Sequence, residues 1–468
     1  MIDLSKLTIK SAAEALKKKD FSAREITEAS LNAIKEKDGE VHAFLEVFDD
    51  ALFQADEADR RIADGEELSL LGVPIAIKDN MLFSGHCSTA GSKILEGFTA
   101  PYDATAIKKL KEAGAILVGR TNMDEFAMGS STENSAYSVT RNPHDLGRVP
   151  GGSSGGSAAA LAGEMVLGSL GSDTGGSIRQ PAAHCGVVGL KTTYGRVSRH
   201  GLIALASSFD QIGPFAKTVT DAEIIYDAIK GRDSMDSTSI DESTYAHRKE
   251  YEKVIGVPRA FVEEEGVSAA VRKNFDEAVE KFESLGYKVV DISLPSVPYS
   301  LAAYYIILPA EVSSNLARFD GVKYGLHVDG ENSIDDYFKT RGEGFGRETR
   351  RRLILGTYVL SSGYYDAYYG KAQKAKELIT SELRQAFRSV DLIMTPTTPA
   401  SAFKFGEKSN PLEMYLEDIF TVHANVSGCP AISLPFGKEG DLPLGIELTA
   451  DLGREDNLFM AGKDFLGE

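Results

Sequence analysis

The sequence predicts an α/β protein, and three segments carry that prediction. Gly72-Val-Pro-Ile-Ala-Ile-Lys78-Asp79 is short, apolar and β-branched, and it reads as a buried strand ending in a charge. Thr105 to Ala113 follows as a helix stopped by Gly114, and Ala115 to Val118 as another strand, so strand, helix and strand come in layered α/β order. Farther on, strands at Val254 to Val257 and Lys288 to Asp291 flank a helix from Val267 to Leu285, a second βαβ-like unit.

The remaining elements fit around these. Ser22-Ala-Arg-Glu25 matches a capping box, in which hydroxyl and carboxylate each satisfy an orphan backbone N–H, and Ile26, Ala29, Ala33 and Ile34 form an apolar stripe behind it. A second helical stretch runs from about Asp49 to Ala63. Between Gly147 and Gly201 glycine and serine are as dense as in a linker, yet Ala158 to Ala162 reads as a helix and Val166-Leu167 as a strand, so these glycines point to close backbone approach. Thr220-Asp-Ala-Glu223 opens a capped helix through Ile229, and the polar stretch Gly231 to Glu250 is an internal boundary or long loop. Tyr304 to Lys376 is mainly helical and tyrosine-rich, and Asp391 to Met394 is a late strand.

Composition bounds the function. The 468 residues carry 51 Lys+Arg against 69 Asp+Glu, a net charge of −18, which argues against direct contact with nucleic acid or an anionic membrane. Hydrophobic residues at 42% and charged residues at 26% allow a sizeable core. Three distant cysteines, Cys87, Cys185 and Cys429, make neither a disulfide framework nor a C-x-x-C pair. The start lacks a leader pattern, and no long apolar run exists, so a protein of a reducing cytosol is expected.

Two serines and a lysine stand out chemically. Gly151-Gly-Ser153-Ser-Gly155 matches G-x-S-x-G, and Ser177 follows the paired glycines Gly175-Gly176. Glycines beside a nucleophile clear the substrate's path and free N–H groups for an oxyanion, although each segment alone reads equally as a turn. His184, His200, His247, His327 and His423 offer an α/β-hydrolase base, but none lies in a distinctive turn. A phosphate loop lacks its Gly-Lys-Ser/Thr ending. Ser401-Ala-Phe-Lys404 matches S-x-x-K without the companion motifs and reads as chance. Lys78, closing an apolar strand, is the other candidate base, since desolvation favours the neutral amine; the plain alternative is a lysine snorkelling from a strand end.

Together, Lys78, the Gly151 to Ser157 loop and the Gly171 to Arg179 segment resemble the amidase signature family of serine hydrolases, with 75 residues from Lys78 to Ser153 and 24 more to Ser177. Asp124 to Thr132, Tyr194 to Ser198, Phe209 to Phe215 and Ser361 to Tyr368 narrow the resemblance to members that serve tRNA-dependent amidotransferases, over nearly the whole chain. His184 and Thr192 depart from the family's usual Phe and Pro, and the match loosens from Leu442 onward. Cys185 beside His184 reads as a small core residue.

The resemblance implies an amidase signature fold, a large central mixed β-sheet covered by helices on both faces. It implies a single domain over 1–468, with a helical part to about 66, a signature core of about 67–230 and an α/β and helical part from about 251. It makes Ser177 the nucleophile, Ser153 (with a cis bond from Gly152) the proton relay and Lys78 the base. Backbone N–H groups of Thr174, Gly175, Gly176 and Ser177 would form the oxyanion hole. Arg351 would hold the α-carboxylate of L-glutamine and Asp418 its α-amino group, with Tyr304 nearby; Arg350, Arg352, Tyr305 and Glu417 adjoin them. No metal or cofactor is implied for this chain. ATP and Mg²⁺ belong to a partner B subunit that also binds Glu-tRNA(Gln), and a small C subunit clamps the two, all in the cytoplasm. A stand-alone amide hydrolase of the same family is the alternative.

Overall fold

A computed structural model describes residues 2–245, 250–263 and 266–468. Its strands are β1 (Phe44–Val47), β2 (Pro74–Lys78), β3 (Ile116–Thr121), β4 (Gly168–Asp173), β5 (Val188–Lys191) and β6 (Gln211–Ala216), then β7 (Val254–Val257), β8 (Lys288–Asp291), β9 (Leu392–Pro396), β10 (Ala431–Glu439) and β11 (Leu442–Ala450). They make one 11-stranded sheet in the order β1-β3-β2-β4-β6-β5-β10-β11-β9-β7-β8. The groups β3-β2-β4 and β9-β7-β8 are parallel inside and the other neighbours antiparallel, so the sheet is mixed, as expected. β7, the helix Ala269–Ser284 and β8 form the expected parallel unit.

Both faces are covered, and β4 demonstrates it. Successive strand residues point to opposite sides. At Gly168 the space a Cβ would fill holds Ile225 of the helix Val219–Ile229 and Ile9 of the helix Ile9–Lys18. On the other side, Ser169 Oγ donates to the Ser157 carbonyl at 2.8 Å, and Gly171 abuts Ser154, at the start of the helix Gly155–Ala162. Small residues let helices approach one strand closely from both sides.

The capping box at Ser22 and Glu25 forms as expected, at the start of the helix Ala23–Val41. Several boundaries differ. Val166-Leu167 precede the strand rather than forming it: β4 itself is Gly-Ser-Leu-Gly-Ser-Asp, which carries no strand signature because close packing selects small residues. The helix Gly155–Ala162 starts three residues before Ala158. Thr218, not Thr220, caps the helix Val219–Ile229, while the Thr220 N–H donates to Glu468 at 2.8 Å. β1 interrupts the helical N-terminal part, and β5, β6, β10 and β11 carry no expectation from sequence. The polar stretch 231–245 is irregular apart from a short 3₁₀ turn, Glu242–Tyr245; 246–249, with His247, lie outside the described residues.

Candidate active site

All five residues of β2 are buried, and Lys78 is the last of them. β2 and β4 run parallel, so their C-terminal ends lie side by side and Lys78 meets Ser172. Lys78 Nζ is 2.7 Å from Ser153 Oγ, 2.8 Å from Ser154 Oγ and 3.0 Å from Ser172 Oγ. Complete burial lowers its pKa to about 7, against the opposing pull of Asp124, Asp173 and Asp210.

Ser153 stands in a loop held by backbone contacts. The Gly152–Ser153 peptide bond is cis, as the resemblance implies. Gly151 takes φ +85°, a conformation suited to glycine, and a Cβ on Gly152 would lie 2.2 Å from Asp124 Oδ2. The Gly152 N–H donates to Gln180 Oε1 at 2.9 Å and the Asp124 N–H to the Ser153 carbonyl at 3.2 Å.

Ser177 lies in the turn from β4 to the helix Arg179–Cys185. The Ser154 N–H donates to its carbonyl at 3.2 Å, tying the two serine segments together. Ser177 is 8% exposed, whereas Lys78 and Ser153 are at 0%, so of the three Ser177 is the residue with accessible surface. The turn is organised by Asp173, whose carboxylate accepts from the Gly176 N–H at 2.9 Å and the Ile178 N–H at 3.2 Å. Burial pushes the Asp173 pKa up, but the paired Arg179 guanidinium, 3.0 Å away, outweighs it and holds the group well below the usual range. Buried Arg179 also reaches Asn425, Glu447 and the Thr421 carbonyl. Of the four N–H groups of the expected oxyanion hole, that of Gly176 is therefore engaged by Asp173. Those of Thr174, Gly175 and Ser177 have no protein acceptor among the described residues.

The expected glutamine contacts are placed unevenly. Tyr304 packs against the Ser177 turn: a Cβ on Gly175 would lie 2.5 Å from its hydroxyl oxygen. Asp418 accepts from Ser130 Oγ at 3.0 Å and, at 2.8 Å, from Tyr305, the tyrosine beside Tyr304; burial raises its pKa to about 7. Ser130 in turn gives its carbonyl to Gln180 Nε2 at 2.9 Å, which links Asp418 to the Ser153 loop. Arg351 pairs with Glu348 and opens into a cleft of about 170 Å³ that also meets Gly129, Lys408 and Tyr415. Arg352 is buried over the rings of Tyr305 and Tyr415, and Arg350 points to the Gly342 carbonyl. Sequence reasoning missed Ser130, Ser154, Ser172, Asn80 and Gln180; Tyr305 was visible only as a neighbour of Tyr304.

The competing motifs fall elsewhere. His184 sits 3.5 Å from Gln180, His200 meets Thr105, His327 meets Asp329 and His423 meets Thr449. Ser401 Oγ donates to Glu439 rather than to a lysine. Burial raises the Cys185 thiol far above its ordinary pKa, which fits its reading as a core residue. Among the described residues no cluster of His, Cys, Asp or Glu could hold a metal ion, and no helix is long and apolar enough to cross a membrane.

Comparison with known proteins identifies the family of the chain. Residues 25–459 match the family model described as Amidase. The chain is 52% identical over 471 residues to the A subunit of glutamyl-tRNA(Gln) amidotransferase from Desulfatibacillum aliphaticivorans, covering 99% of this chain and 97% of that one. It is also 52% identical over 456 residues to the protein of the same name from Thermoanaerobacter pseudethanolicus, covering 96% and 93%. The crystal structure of the A subunit of glutamyl-tRNA(Gln) amidotransferase from Thermotoga maritima superimposes with a TM-score of 0.81 at 42% identity, covering 99% and 95%. With a matched model over most of its length and the fold to accompany it, the chain belongs to the amidase signature family.

Proposed function

We propose that this chain is the glutaminase subunit of a tRNA-dependent amidotransferase. It hydrolyses the side-chain amide of glutamine and passes ammonia to a partner that converts Glu-tRNA(Gln) to Gln-tRNA(Gln). The reading is supported above all by the 2.7 Å contact between buried Lys78 and Ser153, beside the accessible Ser177. It is supported also by relatives of that name at 52% identity over nearly the full length.

Ser177 Oγ attacks the amide carbon, its proton passes to Ser153, and the Ser153 proton passes to the Lys78 amine. The oxyanion is met by the N–H groups of Thr174, Gly175 and Ser177, and that of Gly176 requires Asp173 to yield it. Collapse of the tetrahedral intermediate returns a proton from the Lys78 ammonium through Ser153 to the leaving nitrogen, which departs as ammonia. Water then attacks the Ser177 ester and releases glutamate. Arg351 and Asp418 hold the two charged ends of the amino acid, with Tyr304 beside the nucleophile turn. ATP, Mg²⁺ and tRNA belong to the B subunit of a heterotrimer completed by a C subunit in the cytoplasm, and the chain acts as one domain.

In the assembled complex, Ser177→Ala is expected to abolish amidation driven by glutamine and to leave amidation driven by added ammonia largely intact. Loss of both activities overturns the ammonia-donor reading. Rapid turnover of simple amides by the isolated chain, with glutamine a poor substrate, replaces it with a stand-alone amidase.

A further inference from the structure

The three hydroxyls around Lys78 Nζ are not equivalent as proton donors. Ser154 Oγ donates to the Ser172 carbonyl at 3.1 Å, so it offers Lys78 only lone pairs. Ser172 Oγ lies 3.0 Å from Lys78 Nζ and 2.9 Å from the amide of Asn80, which stands two residues beyond Lys78. An ammonium at Lys78 donates to all three hydroxyls. An amine there has two N–H groups and one lone pair, so either Ser153 or Ser172 must donate to it. If Ser172 donates, the lone pair is taken and Ser153 becomes an acceptor, an arrangement unable to deprotonate Ser153. The productive arrangement requires the Ser172 proton to be held elsewhere, and the neighbour able to hold it is Asn80.

Asn80 is 3% exposed, and its carbonyl oxygen Oδ1 has no hydrogen-bond partner among the described residues. A half-turn of the amide exchanges its oxygen and nitrogen and places the carbonyl at the contact with Ser172 Oγ. We propose that Asn80 is a positioning residue whose carbonyl accepts a hydrogen bond from the Ser172 hydroxyl, so that Ser172 and Ser154 both accept from Lys78 and its lone pair faces Ser153. This rests on the proposed role of Lys78 as base. No covalent bond changes; one of two proton arrangements of the same atoms is selected. The charged groups facing Lys78 are Asp124, Asp173 and Asp210.

The rate at which a fluorophosphonate labels Ser177, in the full chain within its purified complex, reports nucleophile activation without reference to the substrate. Asn80→Leu is expected to slow labelling about tenfold on the alkaline plateau, the effect of one misdirected hydrogen bond. Adding Ser172→Ala removes the competing donor, so the double variant is expected to label faster than Asn80→Leu alone. Asn80→Asp keeps an acceptor and is expected to retain labelling with its inflection moved to higher pH, because a further carboxylate favours the ammonium. A double variant no faster than Asn80→Leu, with parental thermal unfolding, overturns the proposal; so does an Asn80→Asp chain that folds and never labels. Where Asn80→Leu does not fold, the Asp variant decides. A parent whose Ser177 is not labelled, or a Lys78→Met chain labelled as fast as the parent, brings down the reading of Lys78 itself. A parent that labels and needs Lys78, with Asn80 variants like the parent, removes only the role of Asn80.

Discussion

At Lys78, burial that favours the neutral amine serves the proposed role of base and costs stability, and both consequences can be measured. With a pKa of about 7, turnover limited by chemistry is expected to rise as pH passes through that value and then level off. The unfolded chain binds a proton at Lys78 up to the ordinary value of 10.5, whereas the folded chain releases it near 7. The unfolded state therefore holds more protons between those limits, and folding stability rises with pH across them. The penalty is fully present below about pH 7. Measured against Lys78→Met in denaturant unfolding, the parent is expected to gain about 4 kcal/mol between pH 6 and pH 10; equal slopes would remove the buried ammonium from the account. On the proposed reading Asp418 adds an opposite requirement, because it must be ionised to meet an α-ammonium. Burial raises its pKa to about 7, so KM for glutamine is expected to climb as pH falls below that value. Asp418→Asn is expected to raise KM and flatten that dependence while leaving the pH profile of kcat in place.

The helix Gly155–Ala162 and the helix Ala23–Val41 show opposite uses of glycine. A Cβ on Gly156 would lie 2.4 to 2.6 Å from backbone atoms of Asn122 and Ala43, which cannot swing aside. Gly39, in the longer helix, has nothing within 4 Å. Gly156→Ala is expected to destabilise by about 1–3 kcal/mol or more through overpacking. Gly39→Ala is expected to stabilise by about 0.5–1 kcal/mol through helix propensity. Thermal unfolding of the two variants checks both signs. The same contrast explains what was legible in the sequence. Local signals survived: the Ser22 box, the apolar β2 and the βαβ unit from Val254 to Asp291 all formed. β4 and β6 were hidden because packing outranks propensity there: Gly213 sits where a Cβ would come 2.0 Å from the Leu190 carbonyl, and Pro214 lies in the same strand. At the site, Lys78, Ser153 and Ser177 were singled out by a pattern of motifs, and the structure brings Lys78 to 2.7 Å from Ser153. Ser172 and Asn80 were invisible, since their contacts around Lys78 come from the parallel pairing of β2 with β4 and not from any neighbour in the chain.

One sheet joins the early and late parts of the chain, for β5 pairs with β10, and Arg179 beside the Ser177 turn reaches Glu447 on β11. The chain is therefore expected to unfold in a single transition with loss of the site, as followed by calorimetry and Ser177 labelling together. The charge of the whole chain governs a different property. At −18, its long-range field repels a polyanion. The basic cleft at Arg347, Arg351, Arg352 and Lys408 does not reverse this, because Glu348 pairs with Arg351 and Arg352, and Glu417 with Lys408. The cleft suits one small carboxylate better than a phosphate backbone, which binds by shedding counterions along an unpaired cationic track. On the proposed reading, tRNA is held by the partner while this chain handles a small zwitterion. The isolated chain is therefore expected to leave Glu-tRNA(Gln) unretarded in gel-shift titrations at physiological salt. Lowering the salt, which strengthens any cationic contact, is expected to produce no binding either. The complex containing the B subunit is expected to bind under both conditions. Micromolar, salt-sensitive binding by the isolated chain would place a nucleic-acid surface on it and reassign part of tRNA recognition to this chain.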